Sequence, residues 1–397
     1  MRYLLTVVWA TSMLFGCERE TCQPEKAVDD KVEVDLVIKD ALHRSAIGRS
    51  ASVLYDGCDV ETTIDNRLQR KVKEIICRNA DTNDSGVAIA TVLRVEDGAV
   101  LAMTDCGDDV RDMPLALCYL YEPGAVMMPL TAAIAIEKDI VRMDTRIGTD
   151  RNDERYYKLP GDGGHLWPET MQMRDAIIRS SCIVMGKVGY DLGEEQMYDG
   201  YSAFGIGKPT KIGYMGEGRG ILPRRGYWDR VSRSRIPNGQ GVAVTLLQVT
   251  RAYAILARGG EYVEPYVVSG VKNKENVIYR HHKGKTQRVV SKATSDQVLE
   301  VLADVPSGQG TAPRAAVSGV SVAGKTGTAQ RADTESFRYF PDRFRATFVG
   351  CFPSAQPRYV VGVMIETRRV EGERGHQGGQ RPAVAFSEIV NYMVKNH

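Results

Sequence analysis

The sequence lacks both a strong excess of one charge and a long apolar run. Lys and Arg number 52 against 50 Asp and Glu, a formal net charge of +2, so no broad basic field favours nucleic-acid binding. Apolar residues make up 43% and charged residues 26% of the 397 positions, as in ordinary globular proteins. Disordered and fibrous chains are therefore excluded, and no nucleic-acid partner is expected.

The cysteines show no C-x-x-C spacing, so the usual zinc-binding pattern is absent. The eight positions are Cys17, Cys22, Cys58, Cys77, Cys106, Cys118, Cys182 and Cys351. His165 has no second His or carboxylate at ligand spacing, so we expect no metal site and no cofactor. Spacing alone assigns no disulfide pairs, and we expect most of these cysteines to be small buried hydrophobic side chains.

The segment from Met1 to Cys22 resembles an export signal. Its nearly uncharged apolar run, residues 4–15, is shorter than the about 20 residues needed to span a bilayer. The stretch ending at Cys17 resembles a bacterial lipoprotein cleavage site, although Phe15 fits that pattern poorly. An ordinary signal or a short retained anchor is the alternative to lipidation of Cys17.

Composition and patterning divide the chain into three regions. Residues 1–22 are the signal or lipoprotein-like anchor, residues 23–56 are a polar tether, and residues 57–397 form a globular domain. In that domain, Asp97-Gly98 joins two β-rich runs and predicts a hairpin over 87–104. A second strand pair is predicted over 346–368. Apolar spacing predicts helices over 125–138, 171–188, 242–257 and 295–305. Strands at both ends with helices between predict one α+β domain with an antiparallel sheet completed by distant segments.

An ordered series of motifs runs from about Gly57 to the C-terminus. Its members are Val60-Glu61-Thr62-Thr63-Ile64-Asp65, Tyr121-Glu122-Pro123-Gly124, Ala203-Phe204-Gly205-Ile206-Gly207, Gly239-Gln240-Gly241, Lys325-Thr326-Gly327 and Gly378-Gly379. The series resembles the transpeptidase domain of the class B penicillin-binding proteins, the peptidoglycan D,D-transpeptidases of division and elongation. The resemblance implies the penicillin-recognising serine transferase fold, a five-stranded antiparallel sheet flanked by a helical cluster. It also implies that residues 23–56 include only a short remnant of the family's pedestal.

That family brings three clusters together in one cleft. A Ser-x-x-Lys at a helix start supplies the nucleophile and its base, which lie on one helix face. A Ser-x-Asn relays protons, and a Lys-Thr-Gly strand holds the substrate carboxylate. Donors near the helix start stabilise the oxyanion.

The decisive pair is missing here. The resemblance places Ala125 at the nucleophile position and Met128 at the base position, and neither side chain can do that chemistry. Ser180 keeps the first position of the second motif, where the family has a relay group, and nothing in the sequence indicates that it acts as a nucleophile. Cys182 replaces the Asn of that motif. Lys325 to Thr328 keep the strand motif as the expected substrate-binding residues. We therefore predict a pseudoenzyme.

Three alternatives stay open at this stage. Cys182 is expected in the cleft near Lys325 and is a candidate for an unconventional nucleophile. Ser269-Gly270-Val271-Lys272 is a literal Ser-x-x-Lys, but its place in the series predicts a surface strand. The Lys325-Thr326-Gly327 stretch serves either carboxylate binding or strand packing alone.

The expected function follows from the resemblance. The resemblance implies peptidoglycan synthesis, with a stem peptide or cell-wall synthesis proteins as partners, and Ala125 with Met128 implies a non-catalytic binding or scaffolding protein. The N-terminus would hold it at the periplasmic face of the bacterial cytoplasmic membrane. His165 with Trp167 is expected in a solvated loop, and the Arg-rich stretches 219–235 and 368–381 are solvated loops or face anionic glycan or lipid head groups.

Overall fold

The computed structural model describes most of the chain after its first 51 residues. The described ranges are 52–55, 58–81, 86–106, 114–214, 216–273, 276–282, 284, 286–333, 338–369 and 377–396. The predicted anchor and the possible lipidation of Cys17 lie outside these residues. Within them, no helix combines the length and the apolar character that crossing a membrane requires.

The described strands form three sheets. They are β1 (Ser52–Tyr55), β2 (Cys58–Thr62), β3 (Ala88–Arg94), β4 (Val100–Cys106), β5 (Arg146–Gly148), β6 (Thr170–Gln172), β7 (Val268–Asn273), β8 (Asn276–Arg280), β9 (Ala323–Asp333), β10 (Arg338–Phe352) and β11 (Tyr359–Arg368).

The helices lie mainly between the strand pairs. They are α1 (Asn66–Asn79), α2 (Leu115–Cys118), α3 (Met128–Glu137), α4 (Met173–Arg179), α5 (Cys182–Ala203), α6 (Ser232–Arg235), α7 (Leu246–Ala257), α8 (Lys292–Leu302) and α9 (Arg381–Asn396). Short 3-10 turns cover Gly124–Met127, Ile236–Asn238 and Pro313–Ala315.

The central sheet has five antiparallel strands in the order β4-β3-β11-β10-β9. The predicted hairpin at Asp97-Gly98 is confirmed, and Gly98 has a φ of +84° that an L side chain adopts rarely. The second strand pair is also confirmed, with Phe352 opposite Tyr359 where β10 turns into β11. Because β3 pairs with β11, segments from both ends of the domain complete one sheet, as the sequence predicted.

Helices cover both faces of this sheet. Phe348 in β10 packs against Phe386 in α9, with ring centroids 4.7 Å apart. One residue further along β10 the side chains point to the other face, where α7 lies. There, a Cβ on Gly362 would meet Thr250 Oγ1 at 2.4 Å. The sheet is therefore the middle layer of an α/β/α arrangement.

A second sheet, in the order β1-β2-β7-β8, was not predicted. The strand Ser52–Tyr55 belongs to the region assigned to the tether, and it pairs with Cys58–Thr62. Regular structure in the described residues thus begins before residue 57. The boundary itself stays a prediction.

The helix α3 is the centre of the helical cluster. It is buried almost all round, from Met128 to Ala135, which is the pattern of a core helix rather than a surface helix. Thr131 is the polar exception, and its hydroxyl bonds Tyr201 Oη at 2.7 Å and Pro237 O at 3.1 Å. These contacts hold the helix that begins at the cleft.

The predicted helix over 171–188 is wrong in one respect. The chain forms α4, breaks at Ser180 with a φ of +63°, and restarts as α5. The apolar spacing continues through the break because residues on both sides are buried, so the pattern does not reveal it. The predicted start at 242 is also early, since Thr245 and Gln248 form a capping box that begins α7 at Leu246.

Two cysteines correct the expectation that the cysteines are mostly small buried side chains. Cys77 in α1 and Cys106 at the end of β4 form a disulfide. It ties α1 to the outer strand of the central sheet. Cys58 and Cys351 are buried, as expected.

Candidate functional site

The cleft lies between the start of α3 and the strand β9, and glycines set the approach of the two sides. Gly124 has a φ of +64° and donates its N–H to Gly239 O at 3.2 Å. A Cβ on Gly239 would lie 2.1 Å from Gly124 O, and one on Gly327 would lie 2.4 Å from Pro123 O. Any side chain at Gly239 or Gly327 would force the turn out of its position.

Ala125 and Met128 lie where the helix starts. Ala125 is half-buried in the 3-10 turn, and Met128 is fully buried as the first residue of α3. The Met128 Sδ atom is 3.6 Å from Ser180 Oγ. A methyl group and a thioether supply neither a nucleophile nor a base at neutral pH. These two positions of the cleft therefore carry no group for acyl transfer.

Ser180 lies in the break between α4 and α5. A left-handed backbone is uncommon for a residue other than glycine, and here it separates two helices that each keep their own hydrogen bonds. The following residue, Ser181, caps α5 by accepting the Val184 N–H at 3.4 Å. The break brings Ser180 Oγ to 2.8 Å from Lys325 Nζ on β9.

Lys325 is fully buried, with 0% of its surface exposed. Its Nζ also contacts Thr326 O at 3.3 Å. No carboxylate of the described residues forms an ion pair with it. Burial without a counter-charge lowers the pKa of Lys325 to about 7. Near neutral pH the amine is thus divided between its charged and neutral forms.

Cys182 begins α5 beside this pair, as the resemblance implied. Its Sγ is 4.0 Å from the Ser180 carbonyl oxygen. Desolvation, and then the charge of Asp162, raises the pKa of the thiol to about 12. The thiol therefore stays protonated at neutral pH, which is unfavourable for a nucleophile.

Asp162 is a site residue that the sequence did not reveal. Its Oδ1 accepts the N–H groups of Cys182 at 2.5 Å and Ile183 at 3.2 Å, and its Oδ2 accepts the Ser181 hydroxyl at 2.6 Å. A carboxylate at a helix start is stabilised by the exposed N–H groups and the helix dipole. Because Asp162 lies 20 residues before the helix that it caps, no local capping pattern in the sequence predicts this role.

The loop around Asp162 also places the two aromatic residues noted in the sequence. The Trp167 Nε1–H donates to Asp162 Oδ2 at 2.6 Å. His165 stacks on Trp167 with centroids 5.3 Å apart. The loop is thus fixed to the start of α5 through one carboxylate.

The rest of the strand motif is held by contacts of its own. Thr326 Oγ1 and Thr311 Oγ1 are 2.8 Å apart. Thr328 is exposed toward solvent, and its Oγ1 accepts the Gly378 N–H at 3.1 Å. These bonds connect β9 to the segments on either side of it.

A polar contact links the two rims of the cleft. Glu122 accepts the Gly241 N–H at 2.8 Å and the Tyr339 hydroxyl at 3.0 Å. Burial and the nearby carboxylate raise the pKa of Tyr339 to about 12, so the hydroxyl remains a donor. Strand β10 is thereby joined to the turn that carries Ala125.

The other sequence candidates lie in separate surroundings. Ser269 to Lys272 lie in β7, so the predicted strand is confirmed, although the second sheet to which it belongs was not predicted. Lys272 forms an ion pair with Glu61. In the Arg-rich stretch 219–235, Arg225 forms ion pairs with carboxylates of α5. In the other stretch, the Arg368 side chain bonds Asp342 at 2.7 Å.

Comparisons with known proteins agree with this geometry. The family model described as the penicillin binding protein transpeptidase domain matches residues 88–391. The chain is 30% identical over 374 residues to the penicillin-binding protein PbpB of Mycolicibacterium smegmatis, covering 86% of this chain and 55% of that protein. It is 27% identical to the probable peptidoglycan D,D-transpeptidase PenA of Neisseria flavescens, covering 86% and 83%.

Among solved structures, the chain is similar to penicillin-binding protein 3 of Mycobacterium tuberculosis complexed with aztreonam. The TM-score is 0.72 at 28% identity, covering 85% of this chain and 78% of that one. The chain spans little more than half the length of PbpB. The shared part is the domain that contains the cleft.

Proposed function

Because the chain belongs to the transpeptidase-domain family of the class B penicillin-binding proteins, we propose that it is a pseudoenzyme of peptidoglycan synthesis. It has lost the serine acyl transfer of the family and acts by binding or scaffolding. The observation that carries the proposal is the pair Ala125 and Met128, which leaves the start of α3 without nucleophile and base.

The sheet side of the cleft supports a remaining binding role. Lys325 supplies a positive charge in the cleft in its protonated form, and the exposed Thr328 hydroxyl lies on the same strand. A carboxylate entering this cleft would supply the counter-charge that Lys325 lacks among the described residues. The ligand that we propose is a stem peptide ending in a free carboxylate.

The alternative, an active transpeptidase that uses Cys182, is opposed by the surroundings of the thiol. A thiolate nucleophile needs a lowered pKa or an adjacent base. Burial and the charge of Asp162 both raise the pKa of the Cys182 thiol. The thiol contacts the Ser180 carbonyl oxygen at 4.0 Å, which is not a base, and the Asp162 carboxylate, which already accepts the Ser181 hydroxyl and the Cys182 and Ile183 N–H groups.

The location and the partners extend the same proposal. We place the chain at the periplasmic face of the bacterial cytoplasmic membrane, held by its N-terminus, because residues 1–22 resemble an export signal or anchor. Cell-wall synthesis proteins, including those of cell division, are the proposed protein partners. Similarity to relatives that include the peptidoglycan D,D-transpeptidase FtsI of Buchnera aphidicola supports this class of partner.

The test combines turnover with binding. The full chain is incubated with a stem pentapeptide that ends in D-Ala-D-Ala, and released D-Ala is measured. Calorimetry measures binding of the same peptide and of its C-terminal amide. We expect no release of D-Ala, binding of the free acid, and no binding of the amide. Release of D-Ala above the blank would contradict the pseudoenzyme.

Two variants sharpen the binding measurement. Lys325→Met removes the proposed charge and should abolish binding of the free acid. Ser269→Ala changes a serine of the second sheet and should leave binding unchanged. Equal binding by the Lys325→Met variant would show that the carboxylate is held elsewhere.

A further inference from the structure

We propose that the exposed side of helix α1 docks the domain onto the surface of an anionic membrane. This goes beyond the proposed function at the cleft, and it rests on that proposal only for the N-terminal anchor that keeps the chain at the bilayer. The partner is identified by its chemistry. It is a layer of phosphodiester head groups with a net negative charge.

The first argument is the concentration of charge on α1. Five of its 14 residues are Lys or Arg and one is Glu, a net charge of +4 in a chain whose formal net charge is +2. None of the five cations is buried. We call them the basic face of α1, and they are Arg67, Arg70, Lys71, Lys73 and Arg78. The opposite side of the helix, with Leu68, Val72 and Ile75, is buried in the core. A basic amphipathic helix of this kind is typical of contact with a membrane surface.

The second argument is that this charge is only partly balanced within the domain. Lys71 bonds Glu74 at 2.8 Å. Arg78 lies 3.3 Å from Glu74 and 2.9 Å from Glu388. The other three cations of the basic face form no ion pair with the described residues. They are therefore available to an anionic partner.

The third argument is that these cations are placed unfavourably for the helix itself. The first turn of α1 has no acidic residue, although the N-terminus of a helix favours negative charge. Arg67 precedes Arg70 by three residues and Lys71 by four, and like charges at these spacings repel each other. Since none of these side chains is buried, the core packing of α1 does not require them. A binding role explains a charge pattern that folding does not favour.

An open groove between α1 and α9 extends the basic face. Its volume is about 500 Å³, and its lining includes Ile75 and Tyr392 together with the cations Lys71 and Lys395. Val394, next to Lys395 in α9, is 49% exposed. Tyrosine and lysine side chains are favoured where head groups meet acyl chains, because they have an apolar body and a polar end. The groove therefore favours a lipid surface over a soluble anion.

The point at which the chain enters the domain lies on the same side. The described residues begin with β1, where Ser52 pairs with Glu61 of β2. The strand β2 ends at Thr62 and α1 begins at Asn66, so the entry lies beside the start of the basic helix. The proposed anchor, residues 1–22, precedes this entry. Stable anchoring through a short segment commonly needs a second contribution, and a polybasic surface supplies it.

Docking through α1 places the cleft on the far side of the central sheet. The helix α1 packs against α9 and against β3 and β4. The disulfide between Cys77 and Cys106 fixes α1 to β4. The helix α3, which begins the cleft, packs instead against α5 and α8, and α8 packs against α7 on the opposite face. The surface proposed for the membrane is thus rigid and separate from the cleft.

The test measures binding of the full chain to lipid vesicles at low salt. One set of vesicles contains phosphatidylcholine alone, and the other contains equal parts of phosphatidylcholine and phosphatidylglycerol. The N-terminal anchor partitions into both sets, so the ratio of the two affinities reports the contribution of charge. We expect phosphatidylglycerol to increase the affinity. The increase should disappear at about 1 M salt, where the Debye length is about 3 Å.

A triple variant removes the three unpaired cations of the basic face. It combines Arg67→Gln, Arg70→Gln and Lys73→Gln. Each cation near an anionic surface contributes about fivefold to affinity, so we expect the increase with phosphatidylglycerol to fall by about 100-fold. All three side chains are exposed, and the unfolding midpoint shows that the variant is folded.

The matched control changes the net charge of the chain by the same amount elsewhere. It combines Arg219→Gln, Arg224→Gln and Arg230→Gln, three exposed arginines outside α1 and α9. We expect this control to keep the increase with phosphatidylglycerol. An equal loss in the two triple variants would mean that net charge, and not the basic face, determines binding.

Acetylation of lysines locates the docked surface. The chain is treated with an amine-reactive acetylating reagent, with and without phosphatidylglycerol vesicles, and the modified positions are mapped by peptide mass. We expect vesicles to protect Lys73 and Lys395. Lys211, an exposed lysine outside this surface, should react equally in both conditions. Protection of Lys211 without protection of Lys73 would overturn the proposed orientation.

The remaining outcomes separate this proposal from the proposed function. No increase with phosphatidylglycerol overturns the docking surface. Tighter binding of the basic face to polyglycerol phosphate in solution, which carries the same phosphodiester groups, also overturns it in favour of a soluble polymer. Phosphatidylcholine vesicles report the anchor alone, and no binding to them contradicts the proposed location. Release of D-Ala from the stem peptide contradicts the pseudoenzyme and leaves the docking surface intact.

Discussion

The site residues on the two sides of the cleft differ in the contacts that hold them in place. On the sheet side, Gly327 lies directly under Pro123 O, and Lys325 and Thr326 bond to neighbouring segments. On the helix side, Ala125 and Met128 are apolar side chains in an apolar cluster. Set against the resemblance seen in the sequence, the sheet side has the expected Lys-Thr-Gly residues, whereas the helix side has Ala125 and Met128 at the positions where Ser and Lys are expected. Burying an amine costs free energy that burying a thioether does not.

The largest effect is expected from a substitution that disrupts the packing of the sheet side. Gly327→Ala would place a Cβ 2.4 Å from Pro123 O and 3.1 Å from Val126 Cγ1. Since both neighbours lie in the turn that begins the cleft, we expect the free energy of unfolding to fall by about 3 kcal/mol. Urea denaturation measures it.

The matched control for this variant is Gly308→Ala. A Cβ there meets no atom within 4 Å, and Gly308 does not have a positive φ. We expect its stability to stay within about 0.5 kcal/mol of the wild type. If Gly327→Ala were equally harmless, the sheet side would not be held by packing, and the comparison between the two sides would fail.

The second prediction restores the chemistry of the helix side. The double variant Ala125→Ser with Met128→Lys places an amine in a fully buried position that already has Lys325 nearby. We expect the free energy of unfolding to fall by about 2.5 kcal/mol. Nearly all of this loss should come from Met128→Lys, because it buries a second amine. Ala125→Ser alone should be nearly neutral because that position is half-buried.

The same double variant also tests the cleft as a whole. We expect it to gain a penicillin adduct at position 125, mapped by peptide mass, that neither single variant shows there. The gain should be slow because Cys182 offers only a weak thiol donor and acceptor where the resemblance implies an Asn amide. A folded double variant with no adduct at position 125 would mean that the helix side does not hold a Ser and a Lys in a reactive geometry.

The third prediction removes the buried charge of the sheet side. Lys325→Met should raise the free energy of unfolding by about 2 kcal/mol at pH 7, because it ends the cost of burying an unpaired amine. The folded-state pKa of Lys325 is about 7, and its ordinary value is 10.5. Between these values the unfolded chain binds the proton and the folded chain does not, so wild-type stability rises with pH.

The pH dependence provides the decisive readout for this variant. The advantage of Lys325→Met over the wild type should be greatest at pH 7 and below, and should shrink as pH rises toward 10.5. Lys71→Met, at a half-exposed lysine paired with Glu74, should show neither the gain nor the pH trend. If the difference in stability between Lys325→Met and the wild type were the same at all pH values, the pKa of the buried Lys325 amine would not be lowered.

The main sheet and the positions of the cleft were predictable from the sequence. Asp97-Gly98 between two β-rich runs is a local turn signal, and the ordered motifs predict that Ser180 and Lys325 share one cleft, in agreement with the 2.8 Å contact between them. The break at Ser180 was not predictable, because a serine in a left-handed conformation has no pattern that distinguishes it from a helical serine. The apolar spacing on both sides of the break merges into one apparent helix.

The long-range contacts of the site could not be predicted from the sequence either. Asp162 caps a helix from a loop 20 residues away, and capping patterns describe only adjacent residues. The sheet β1-β2-β7-β8 joins strands about 200 residues apart, as the pairing of Val60 with Val271 shows. Such pairings depend on the folded core rather than on the sequence near each strand.

The smallest expected effect concerns the capping of the helix side. Asp162→Ala removes the acceptor for the Cys182 and Ile183 N–H groups and for Trp167 Nε1. We expect a loss of about 1 kcal/mol in the free energy of unfolding and a change in Trp167 fluorescence. The pKa of Cys182 should fall, because Asp162 is the second cause of its rise after burial.

Iodoacetamide labelling measures that change in the thiol. We expect Cys182 to react faster in Asp162→Ala than in the wild type at pH 8, and to remain slow in absolute terms because desolvation is the larger cause. Asp150→Ala is the matched control, since Asp150 accepts the Asn152 N–H at 2.8 Å in an exposed part of the same loop. If the control increased the labelling equally, the thiol would be protected by loop order rather than by the carboxylate. An effect limited to Asp162→Ala would show that one loop residue both caps the start of α5 and keeps the Cys182 thiol unreactive.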